Sequence, residues 1–283
     1  MLITRISGGL GNQLFQYATA LQIAKNNSFS LLLDVSSFSP TSIRSFCLDE
    51  LVPSVSIIPR EYVRTLIEPR NKILRNISEM AGWKRLPKIV ERKKGYDSLI
   101  AGIDFPCYLK GSFISFKYFA SINDDFINSL VFSEYVQSAA IQSMKLYKSH
   151  NIVCVSIRRG DFLQYESLNV CTKEFYLKSI DRSRKMLTNP TFLFFSDDIH
   201  WVKQNFISND FNFWDEINYS IVMKLYAMSI CNHYIISNSS FSWWGAWLNT
   251  SNNKLVFCSS KVENNNSFPV DDYYPSSWIK IDP

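Results

Sequence analysis

The chain has 283 residues, 46% of them hydrophobic, 15% aromatic and 19% charged, and carries a formal net charge of +5 at pH 7. It is too apolar and too weakly charged to be disordered, and its 9 Gly and 10 Pro exclude a collagen-like repeat. The length exceeds what one hydrophobic core usually serves, so two domains are expected, 1–150 and 151–283. A pI near 8.8 is too mildly basic to imply a nucleic-acid partner, and none is expected.

Six cysteines, at 47, 107, 154, 171, 231 and 258, stand far apart with no CxxC pair, and there are only three histidines. Structural metal sites need clustered thiolates or imidazoles, so no metal and no cofactor are expected. Cys154, Cys231 and Cys258 sit in apolar stretches and read as small hydrophobes in a reduced compartment. The N-terminus, MLITRISGGLGNQ, lacks the basic and apolar regions of an export signal. No apolar run approaches the ~18 residues of a membrane span. The expected location is the cytoplasm, either free or peripheral on the inner face of the plasma membrane.

In chain order, Leu2–Ile6 is a strand ending in the turn Ser7-Gly8-Gly9-Leu10-Gly11. Leu14, Phe15, Ala18, Leu21 and Ile23 recur near helical spacing until Asn26-Asn27, and Ser30–Val35 is a second strand, giving a βαβ opening. Residues 60–94 hold a local charge of +7. They form either a solvated face or a patch for anionic lipid head groups or a phosphate-bearing substrate. Ser133–Ser149 is an amphipathic helix through Val136, Ala140, Met144 and Tyr147. Strands come next at Ile152–Ile157, Thr191–Phe195, Tyr234–Ile236 and Lys254–Cys258, with a helix over Tyr219–Ile230 among the intervening segments.

The residues directly after each of these strands carry the chemistry. The first strand runs into Arg158-Arg159-Gly160-Asp161, the second into Ser196-Asp197-Asp198, the third into Ser237-Asn238-Ser239-Ser240, and the fourth into Ser259-Ser260. In an open parallel sheet these carboxyl ends share one edge, where ligands bind. Arginines, hydroxyls and acids gathered there describe a site for a phosphorylated, hydrogen-bond-rich ligand.

At the first turn, Gly9 and Gly11 match part of a dinucleotide fingerprint, with Asp34 near the expected acid, but Leu14 stands at the third glycine position. Asn12 and Gln13 place two amides at the helix start, suited to sugar hydroxyls. If Arg158 and Arg159 face opposite ways, only one enters a cleft. Ser239, Ser240 and Ser242 either cap a helix or present hydroxyls and amides to a diphosphate, and Phe241 can stack on a base or sugar. Trp243, Trp244 and Trp247 pack that helix on its sheet.

The segments GGLGNQLFQYATAL, SIRRGDF, LFFSDD and YIISNSSFSWWGAWL resemble, in order, the signature blocks of the bacterial α-1,2-fucosyltransferases of glycosyltransferase family 11. The resemblance spans residues 8–248. It implies an α/β, GT-B-like fold of two Rossmann-like domains facing across a cleft, the first on the acceptor side and the second binding donor. It implies metal-independent, inverting transfer of fucose from GDP-L-fucose to the 2-hydroxyl of a β-galactoside. The acceptor would be a galactose-containing, lipid-linked oligosaccharide of O-antigen or other surface-glycan assembly.

Carried over residue by residue, the resemblance has Arg158 hold the β-phosphate and Asn12 reach the donor from the first domain, the two forming the catalytic set. Gly9, Gly11, Asp161, Asp197, Asn238, Ser239, Ser240, Phe241 and Ser242 complete the donor site. Many relatives have His and Tyr where this chain has Ser156 and Phe162, and a hydroxyl is no general base near neutral pH. The alternatives are a transferase for another nucleotide deoxysugar, or a non-catalytic glycan-binding module on the same shell.

Overall fold

A computed structural model of the chain describes residues 1–67, 85–145, 151–214 and 219–283. Residues 68–84 of the +7 segment and the end of the expected 133–149 helix, including Tyr147, lie outside the described residues. The chain forms two compact units, Met1–Val131 and Phe132–Pro283.

The first unit is built on a four-stranded parallel sheet of β1 (Leu2–Arg5), β2 (Leu31–Asp34), β3 (Lys88–Val90) and β4 (Cys107–Lys110), in the order β2-β1-β4-β3. β1 and β2 pair in parallel from Leu2 opposite Leu31 to Arg5 opposite Asp34, as the βαβ opening requires. The intervening helix, Leu10–Asn26, is buried on most of its surface, glutamines included. Those amides act as internal pins. Gln16 accepts from the Ser7 N–H at 2.8 Å and donates to the Gly111 carbonyl at 3.0 Å. Gln13 donates to the Gly8 and Ser45 carbonyls and accepts from the Cys47 N–H.

The second unit is a six-stranded parallel sheet: β5 (Ile152–Ile157), β6 (Thr191–Ser196), β7 (Phe211–Phe213), β8 (His233–Ile236), β9 (Val256–Ser259) and β10 (Ile279–Ile281). Its order, β10-β9-β8-β5-β6-β7, is the 3-2-1-4-5-6 arrangement of dinucleotide-binding sheets read from the far edge. Every residue of β5, β8 and β9 is buried, which is why these strands read as continuous apolar runs. β3, β4, β7 and β10, which sequence patterning did not single out, have only three or four residues each.

The Glu134–Met144 helix belongs to the second unit, ahead of the break expected after residue 150. Ser133 caps it, accepting from the Val136 N–H, and it buries Val136, Ala140 and Met144. It packs on the Ile221–Ser229 helix, and the Phe132 and Tyr226 rings meet at 4.9 Å. Contacts of this kind, rather than the start of the second strand series after residue 150, decide which unit holds it. No helix among the described residues is long and apolar enough to cross a membrane.

Candidate active site

The parallel sheet of the second unit reverses its winding between β5 and β8, and their carboxyl ends lie side by side there. Ser156 pairs with Ile236, and the Ser237 N–H continues the ladder to the Ser156 carbonyl at 3.1 Å. Chain leaving β5 therefore passes Arg158 beside the Asn238–Ser239 turn that starts the Ser240–Trp247 helix. Crevices at such reversals are where open α/β sheets bind ligands.

Arg158 and Arg159 diverge. Arg159 turns away from this crevice: its Nε lies 3.1 Å from Asp198 Oδ2, and its guanidinium sits 3.5 Å from the centre of the Trp201 ring. Asp198 in turn caps the Ile199–Asn205 helix through the Trp201 N–H. Desolvation alone would raise the Asp198 carboxyl. The hydrogen bonds from Arg159 and the Trp201 N–H, with the charges of Arg159 and His200, outweigh it and hold the carboxyl below its ordinary value. Arg159 is thus a structural residue.

Arg158 stays at the strand end, its side chain 22% exposed. Asp161 Oδ1 accepts from both Nε (3.0 Å) and Nη2 (2.6 Å), and Asp197 Oδ2 lies 2.8 Å from Nη1. A guanidinium has five N–H donors, so at least two remain on the Nη1–Nη2 end for a ligand. Asp161 and Asp197 thus spend these oxygens on the arginine. Asp197 also accepts the Arg159 backbone N–H at 2.9 Å.

The serine block behaves differently from its sequence reading. Ser239 sits at the helix start without a side-chain capping bond. Ser242 is turned inward: its hydroxyl meets Ser156 Oγ at 2.7 Å and Ser237 Oγ at 2.8 Å, all three buried. This clasp ties the helix start to the ends of β5 and β8, leaving Ser242 only backbone to offer a ligand. Ser156, where many relatives carry histidine, is committed to it. Replacing Ser242 with alanine strips two buried hydroxyls of their shared partner. The expected loss is about 1–3 kcal/mol in urea unfolding, and a loss under about 0.5 kcal/mol would contradict the clasp's role.

Asn238 also points inward, its Nδ2 donating to the Leu168 (3.0 Å) and Val262 (2.9 Å) carbonyls. It fastens two loops beside the site. Phe241 is half-buried, whereas Trp243 and Trp244 are fully buried as packing residues. Cys171, behind this turn, has its thiol pushed up to about 12 by burial and stays protonated. Among the described residues, no three His, Cys, Asp or Glu side chains converge so as to hold a metal ion.

In the first unit, Gly8 adopts φ +77° before the Leu10–Asn26 helix, a conformation that favours glycine. Asn12 lies half-exposed in the first helical turn, and the space where a Gly9 Cβ would stand is open to 4 Å. Gly11 is buried in the same turn. Gln13 is fully buried, its amide consumed by backbone, so it offers nothing to sugar hydroxyls. Asp34 is buried as well, bonded to the Tyr108 hydroxyl at 2.6 Å and the Ser36 N–H at 2.9 Å, which removes it as a ribose-binding acid.

Sequence reasoning did not anticipate Ser237 in the clasp, Asp198 as the Arg159 partner, or the need for glycine at 160. For Asp198, the adjacent acids of the SDD block were a usable signal. Gly160 gave none, because Asp197 lies far along the chain; Ser237 meets Ser242 close by, but a row of serines does not say which hydroxyls turn inward.

Two parallel α/β units, the second wound as a dinucleotide-binding sheet with an arginine and a helix start at its reversal point, define the GT-B-like class of glycosyltransferase folds. Matching the model for glycosyl transferase family 11 over residues 1–282, the chain belongs to that family. It is 29% identical to the Escherichia coli alpha-1,2-colitosyltransferase, with 100% of this chain and 99% of that protein aligned. It is 23% identical to the mouse galactoside 2-alpha-L-fucosyltransferase Sec1, covering 99% of this chain and 74% of the relative. The crystal structure of the fucosyltransferase NodZ from Bradyrhizobium superposes with a TM-score of 0.51 at 14% identity, covering 86% of this chain and 91% of that one.

Proposed function

We propose that this enzyme transfers L-fucose from GDP-L-fucose to the 2-hydroxyl of a β-galactoside, with inversion, in the assembly of an O-antigen or other surface glycan. The observation that carries the reading is Arg158, held at the end of β5 beside the start of the Ser240–Trp247 helix. Galactoside 2-fucosyl transfer is also what the mouse relative's name states.

As the acceptor hydroxyl attacks the anomeric carbon, the bond to GDP breaks and negative charge collects on the β-phosphate oxygen. A fixed guanidinium meets that charge, together with helix-start amides that carry partial positive charge. The phosphates sit against Arg158 and the Ser239–Ser242 backbone, and Phe241 supplies a ring face for base or sugar. Gly9, Gly11 and Asn12 form a separate sheet edge in the first unit, assigned to saccharide hydroxyls. Ser156, buried in the clasp, is not the base. Because fucose departs toward an oxocarbenium-like state, leaving-group stabilisation outweighs deprotonation of the acceptor.

The test incubates the purified chain with GDP-fucose, EDTA and a panel of β-galactosides, following GDP release and product linkage. Release only with a galactoside, giving 2-linked fucose, is the expected result. A second reading, transfer of another deoxysugar, is favoured by the 29% identity to a colitosyltransferase along the whole chain. A nucleotide-linked colitose donor that outcompetes GDP-fucose would establish it. Absence of GDP binding would dispose of both.

A further inference from the structure

Resting on that donor-site reading, we propose that Asp197 is a positioning residue that aims Arg158, and that Gly160 exists to give it room. Asp197 uses both oxygens at once. Oδ1 accepts the Arg159 backbone N–H at 2.9 Å, which fixes the carboxylate to the strand end, and Oδ2 stands 2.8 Å from Arg158 Nη1. Its side chain is 22% exposed, whereas Asp161 on the other edge of the guanidinium is 45% exposed. Asp197 is therefore the inner, better-shielded brace.

Gly160 comes directly after the two arginines, and a Cβ there would stand 2.6 Å from Asp197 Oδ2, the oxygen that faces Arg158. Any side chain at 160 displaces that oxygen. Two carboxylates on one arginine also limit its attraction for an anion, which makes the pair poor at recruiting phosphate by charge alone. What it provides is orientation: a guanidinium plane set in advance, so that no reorganisation is needed when charge develops.

The test compares wild type with D197N, G160A, R158A and R158A/D197N, measuring GDP binding by calorimetry, kcat, acceptor KM and melting temperature. Asparagine is isosteric and can still accept the Arg159 N–H, so D197N removes only the brace on Arg158. The expected result is a kcat lowered about 10- to 100-fold in D197N, the range for groups that orient a directly contacting residue, with acceptor KM unchanged. G160A should reproduce this with both side chains intact. The double variant should turn over within about twofold of R158A, since a brace cannot matter once its arginine is gone. Multiplying losses in R158A/D197N, or wild-type turnover in D197N, would overturn the proposal, as would tighter GDP binding by D197N with unchanged kcat. A wild-type chain that binds no GDP would instead overturn the donor-site reading.

Discussion

Replacing Arg158 with alanine is expected to cut kcat by about 10²–10³-fold while moving the melting temperature by less than about 3 °C. The large kinetic effect comes from where the guanidinium sits. It ends β5 at the sheet's reversal point, its plane is fixed by Asp161 and Asp197, and in the proposed donor site its remaining N–H donors would meet the leaving phosphate. The small thermal effect comes from the carboxylates it leaves behind, since Asp161 is 45% and Asp197 22% exposed and water can resolvate both. Turnover within tenfold of wild type would remove Arg158 from the mechanism. A fall in melting temperature as large as that of a core variant would make its role structural.

Replacing Trp243 with alanine should produce the opposite pattern, a loss of about 3–5 kcal/mol of stability that lowers the melting temperature by roughly 10 °C. Trp243 is fully buried at the centre of an aromatic cluster. It stacks on Trp247 at 4.6 Å, meets Trp244 edge-on at 5.0 Å and reaches Trp278 at 5.6 Å. Its Nε1 donates to the Tyr273 carbonyl at 2.8 Å, so truncation opens a cavity and orphans a buried acceptor as well. Trp243→Phe keeps most of the volume and should cost less. Urea unfolding of both variants checks the order, and a loss below about 1 kcal/mol in the alanine variant would contradict the packing role. Because this indole seats the helix whose start lies at the site, activity should fall with stability in Trp243→Ala and not before it.

The two expected results concern neighbouring stretches of one sheet edge that sequence alone could not tell apart in kind. An arginine followed by acids reads there as a ligand-facing group, and serines followed by tryptophans read as either helix caps or ligand-facing hydroxyls. The arginine stays at the strand end, braced by Asp161 and Asp197. The serines divide: Ser242 closes a buried clasp with Ser156 and Ser237, while Ser239 stays at the helix start without a capping bond.

The order of apolar runs, the glycine turn after β1 and the polar residues at each strand end were legible in the chain by itself. They depend on period and on neighbours within a few positions, and they were enough to give a parallel α/β fold, its main strands and the family resemblance. The strand order that places β5 against β8, the membership of the Glu134–Met144 helix, and the short strands β3, β4, β7 and β10 depend on packing between distant segments. So does the choice between the arginines. Arg158 and Arg159 are adjacent and chemically identical; Asp197 and Asp198, brought beside them by the β5–β6 pairing, decide that one is braced at the crevice and the other stacks on Trp201. A pattern records which residues can share a face, but a hydrogen bond needs its partner's position, and only the folded sheet supplies that.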